Sequence, residues 1–134
     1  MIIRHKRPDK KNALSIINAA ERDMKFTLTL KPDEGSASTI TRNIYESFRM
    51  LGDALLVNEG IESQDHIMPI RELLKLRVST TRPINIIGNL RTLRHNINYY
   101  GYNPKISEVE DVISIAKSCF LPLKKAVLEK IESL

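Results

Sequence analysis

The stretch Leu93–Tyr102, LRHNINYYGY, sets Arg94 and His95 side by side and follows them with Asn96, Asn98 and three of the chain's four tyrosines. An arginine is a permanent cation whose planar fork matches phosphate oxygens. An imidazole moves protons near neutral pH. Tyrosine rings can stack on bases, and amides can reach base edges. Together these types offer recognition of a phosphate-bearing ligand, with a proton carrier beside the cation. At about 100° per residue, Arg91, His95 and Asn98 share one helical face with Arg94 at its margin. Ile84 and Ile87 fall on the same face. Isoleucines mixed with histidine and arginine suggest a subunit interface bordering a polar groove.

Helical spacing accounts for the elements that must hold this face. Asp9 to about Leu30 places Ala13, Ile16, Ile17, Ala20, Met24 and Leu28 at three- and four-residue steps, with Pro8 near the first turn. KPDEGSAST is a loop with candidate caps. Ile40, Ile44, Phe48, Leu51 and Leu55 then mark a second buried stripe that Gly60 ends as a left-handed stop. A third, shorter helix carries Ile67, Ile70, Leu73 and Leu74 after the possible caps Ser63 and Asp65, with Pro69 disturbing its first turn. VSTTRP turns into the fourth helix, capped by Thr81 or Arg82 and closed by Gly101 and Pro104. Its predicted core stripe is Ile86, Leu90, Leu93, Ile97 and Tyr100. The last helix opens on Ser107–Glu110, a capping-box pattern, runs through Val112, Ala116, Cys119, Phe120, Leu123, Val127 and Ile131, and is expected to bend at Pro122. KFTLTLK near Lys25 is locally strand-like, but no alternating run is strong enough to predict a strand. The fold class that follows is all-α: an up-and-down antiparallel bundle of about five helices.

The 134 residues make one domain, 1–134, with a basic N-terminal arm over 1–8. The formal charge of +5 is concentrated in two blocks: residues 1–11 carry a net +4 and residues 71–105 a net +6, whereas 12–70 carry −4. Such blocks suit phosphates. No run approaches the roughly 18 apolar residues of a membrane span, and the charges of MIIRHKRPDKK leave no room for a signal peptide, so a cytoplasmic protein without membrane contact is expected. The single cysteine, Cys119, cannot form an internal disulfide and reads as a small buried hydrophobe. His5, His66 and His95 lack metal-ligand spacing, and the five glycines are too scattered for a phosphate-cradling loop; neither metal nor cofactor is expected.

Leu90–Tyr102, LRTLRHNINYYGY, resembles the signature of the HEPN superfamily (higher eukaryotes and prokaryotes nucleotide-binding domain). That signature is an arginine, four to six intervening residues and a histidine, often with a polar residue directly after the arginine and a glycine shortly beyond the histidine. Arg94 takes the arginine position, His95 the adjacent polar one, and Gly101 matches the glycine. Tyr99 stands where the family's histidine would. The helix order, with the motif ending the penultimate long helix, is similar as well.

The resemblance implies a homodimer through the fourth helix, with a cleft at the interface that cleaves RNA without metal in active members. A phenol, ordinarily titrating near ~10, is a poor general base at neutral pH. Arg91 and His95, with three residues between them, are spaced more closely than the family pattern. The expected function is therefore binding of RNA or a nucleotide without catalysis, through Arg91, Arg94, His95, Asn98, Tyr99 and Tyr102. One alternative is a metal-independent endoribonuclease, the toxin of a toxin–antitoxin pair, with Arg94, His95 and Tyr99 as candidate catalytic residues. Such members often pair with a nucleotidyltransferase that modifies a tyrosine near the motif, here Tyr102. A second alternative is a structural dimer whose site has decayed.

Overall fold

The computed structural model describes residues 3–63, 65 and 67–133; His66 lies outside them. Five α-helices follow one another: α1 (Lys10–Thr27), α2 (Ala37–Glu59), α3 (Ile67–Leu74), α4 (Ile87–Tyr100) and α5 (Ile106–Glu132). Two three-residue strands, β1 (Ile3–His5) and β2 (Ile61–Ser63), precede α1 and α3.

Local chemistry explains the helix ends. The Asn12 N–H donates to Asp9 Oδ1 at 2.9 Å, opening α1 one residue after that cap. The strand-like KFTLTLK is instead mostly the last turn of α1 and its exit. There Thr27 is buried, and its hydroxyl donates to the Asp23 carbonyl at 2.8 Å. Asp65 Oδ1 accepts from the N–H groups of Ile67 and Met68 at 3.0 and 2.9 Å, so Pro69 falls in the first turn of α3, where no intrahelical donor is lost. Gly60 (φ +76°) and Gly101 (φ +64°) supply the expected left-handed stops. The box at α5 lies two residues earlier than Ser107 implies: the Lys105 N–H donates to Glu108 Oε1 at 2.9 Å, and Ser107 sits inside the helix. The helix continues through Pro122.

The long helices alternate in direction. The Asp9 N–H donates to the Val57 carbonyl at 3.1 Å, setting the start of α1 beside the end of α2. On α2, Arg42 reaches Asn98 and Tyr45 meets Arg94, so α4 also runs against α2. Lys124 bonds Glu21 at 2.6 Å between α5 and α1, and the rings of Phe48 and Phe120 meet edge-on at 5.8 Å between α2 and α5. An all-α, up-and-down bundle results, with Ile17, Ile40, Ile44, Tyr45, Phe48, Leu51, Ile87 and Leu123 fully buried. Each large apolar side chain so removed from water contributes about 1.5–3 kcal/mol. Cys119 is buried as expected, and burial pushes its thiol above the ordinary range.

Two departures from the sequence reading concern placement. The basic N-terminal arm, for which no strand was predicted, contains one: β1 pairs antiparallel with β2, His5 opposite Ile61, and Lys6 contacts Glu62. Three-residue strands are too short to show an alternating pattern, which is why periodicity missed them. The second concerns α4. Its buried residues are Ile87, Leu90 and Ile97, while Tyr100 is 76% exposed. Leu90 and Ile97 of the predicted stripe are buried and Ile86 and Leu93 are partly buried against the core, so the stripe holds except at Tyr100 and widens to take in Ile87. Ile87, placed by sequence on the polar face, turns inward; Tyr100, placed in the core, turns out. Arg94 lies with Ile87 toward α2.

Candidate functional site

The face that α4 buries decides which of its polar groups are left outward together. Arg91, Thr92, Arg94, His95 and Tyr99 line an open groove of about 480 Å³, closed on its other side by Asp65 and Ile67 at the start of α3. Four of the six residues singled out from sequence therefore meet here: Arg91, Arg94, His95 and Tyr99. Asn98 stands on the neighbouring edge, where its side-chain oxygen accepts a long 3.5 Å bond from Arg42 of α2. Tyr102 is elsewhere. Past the Gly101 cap, its hydroxyl donates to Glu108, a bond that raises the Tyr102 phenol above its ordinary range and lowers the Glu108 carboxyl. Tyr102 thus fastens the α4–α5 connection and does not line the groove.

Three rings cluster at the groove's end. The His95 imidazole lies 4.6 Å from the Tyr99 ring and 5.8 Å from the Tyr100 ring, the second pair close to edge-on. Tyr99 is 69% exposed, so an aromatic surface is open to a ligand as well as to its neighbours.

The cations differ in what they already hold. Arg49 is bound by Glu46 and, at 2.8 Å, by Asp53; Arg82 is bound by Asp111 at 2.8 Å. Among the described residues, neither Arg91 nor Arg94 has a carboxylate within ion-pair reach. The guanidinium of Arg94 lies 5.6 Å above the centroid of the Tyr45 ring. The groove's one acid, Asp65, is committed to the α3 amides, led by that of Met68, and they hold its carboxyl below the ordinary range. Two guanidiniums without carboxylate partners, beside an imidazole and an exposed phenol, can hold a phosphate group and stack a base.

Sequence reasoning missed the groove's far wall and the ring beneath Arg94. Asp65 was visible as a cap but not as a neighbour of α4, and Tyr45 carried no signal beyond its spacing on a buried stripe between Ile44 and Phe48. Among the described residues of the basic arm, none lines this groove. Lys6 and Arg7 line a separate cavity of about 430 Å³ with Asp9, Asp53 and Gly60. Among the described residues, no three His, Cys, Asp or Glu side chains come together as a metal centre.

No family model matches the chain, and neither does any curated protein or solved structure.

Proposed function

We propose that the chain is a HEPN-like module that binds RNA or a nucleotide in the α4 groove as a homodimer, without cutting it. The observation that carries this reading is the pair Arg91 and Arg94, which lack carboxylate partners and lie beside the exposed ring of Tyr99. Binding needs cations left free for phosphate and a face left free for a base. Cleavage also needs a proton carrier positioned against the reacting oxygen, and a phenol occupies the place where the resemblance puts histidine. The runner-up, a metal-independent endoribonuclease, draws its support from His95, whose imidazole lines the same groove as both arginines.

A labelled single-stranded oligoribonucleotide incubated with the protein in EDTA separates the readings. Binding should weaken steadily as salt rises and leave the RNA intact. Arg91→Ala, at an exposed position, should lower affinity across sequences and reduce the log–log salt slope by about 1. Cleavage that disappears in both Arg94→Ala and His95→Ala would replace binding with the ribonuclease. Failure to bind either RNA or mononucleotide would leave the structural dimer.

A further inference from the structure

The geometry points to Tyr45 as a positioning residue for Arg94, its buried ring on α2 lying beneath this guanidinium at cation–π distance and helping to present it to a phosphate in the groove. The inference rests on the phosphate-binding reading above and adds to it a residue from a different helix. Tyr45 is fully buried, and among the described residues its hydroxyl has no hydrogen-bond partner. A buried hydroxyl without a partner is a net cost, so what this position supplies is the ring and not the oxygen. That ring carries the guanidinium of Arg94 at 5.6 Å, within the range of a cation–π contact.

The contrast with two other partly buried arginines, Arg49 and Arg82, is informative. Arg49, one turn further along α2, is immobilised by Glu46 and Asp53, which also neutralise it. Arg82 is tied to Asp111. A carboxylate holds an arginine by occupying its N–H fork. An aromatic face attracts the cation through its π-electrons without taking up the N–H fork, which stays available to another anion. The contact also restricts a long side chain before the ligand arrives, so less freedom is lost on binding. Packing sets Arg94 of α4 over the Tyr45 ring of α2, and that ring makes the position tolerable for a cation.

The test measures affinity for the labelled oligoribonucleotide with wild type, Tyr45→Phe, Tyr45→Leu, Arg94→Ala and the Tyr45→Leu/Arg94→Ala double variant, each checked for folding by circular dichroism. Tyr45→Phe keeps the ring and should bind within about twofold of wild type, whereas Tyr45→Leu should bind roughly fivefold more weakly. The double variant should be no weaker than Arg94→Ala alone, because both changes remove one coupled contact. A purely structural role for Tyr45 would make the two losses multiply, and that result overturns the proposal, as does a folded Tyr45→Leu with wild-type affinity. Should Tyr45→Leu fail to fold, nuclear magnetic resonance of the wild type decides. The Arg94 side-chain protons should stay shifted upfield by the ring when the oligonucleotide is bound; loss of that shift on binding overturns the role. If wild type binds no oligonucleotide, the phosphate-binding reading fails and this role fails with it.

Discussion

Asp53 shows how a single side chain can be set against its own neighbourhood. Burial raises its carboxyl from 3.8 to about 6, even though Arg49 beside it acts in the opposite direction. Between these two values the folded protein holds a proton that the unfolded chain has released, so lowering the pH through this window stabilises the fold. Above about 6 the buried carboxylate is ionised at a cost. Asp53→Asn lacks this titration. In urea unfolding, wild type should therefore gain on Asp53→Asn as the pH falls from 7 to 4, by on the order of 2 kcal/mol. An unchanging difference would mean that Arg49 compensates the buried charge fully. At the same scale, the site was legible where chemistry is local. Arg91, Arg94, His95 and Tyr99 could be named from one helix because residues three or four apart share a face. Tyr45 and Asp65 could not, because their membership depends on which turn of another element they meet.

Between elements, two glycines show how closely the helices approach. A Cβ on Gly52 of α2 would lie 2.0 Å from the Pro69 carbonyl oxygen, a backbone atom that cannot swing aside, whereas a Cβ on Gly88 of α4 would meet nothing within 4 Å. Gly52→Ala should therefore cost about 2 kcal/mol or more by forcing α3 away from α2. Gly88→Ala should raise stability by up to about 0.5–1 kcal/mol through helix propensity. Thermal melts of the two variants would show opposite shifts. Because α3 supplies Asp65 and Ile67 to the groove, Gly52→Ala should also weaken ligand binding, but Gly88→Ala should not. Helix existence was readable from apolar spacing and stop signals; the width of each buried face was not. On α4 the spacing named Ile86, Leu90, Leu93 and Ile97 on the core side, and packing adds Ile87 and leaves Tyr100 out.

For the whole molecule, the proposed homodimer is the reading with the plainest physical signature. The exposed ring of Tyr100 and the 40% exposed Ile67 are apolar surface beside the groove that a second copy would cover, leaving Tyr99 to the ligand. Sedimentation should give about twice the 15.3 kDa chain mass, and Tyr100→Asp, a change at the surface, should give a folded monomer. A wild type that sediments as one chain at all concentrations would remove the dimer from the proposal. No helix among the described residues is long and apolar enough to cross a membrane.

The sequence by itself determined that the chain is a helical bundle, where its helices stop, and that one of them carries an unusual density of arginine, histidine and tyrosine. Those properties depend on residues within a few positions of one another, where helix geometry fixes who is a neighbour. Only the tertiary structure decided that the basic N-terminal arm is a strand pinned at the end of α2, that Tyr102 binds Glu108 and leaves the groove, and that Arg94 lies over Tyr45 without a carboxylate partner. Each of these depends on the rotation and register of one element against another. Packing of the whole core sets that relation, and no local pattern encodes it.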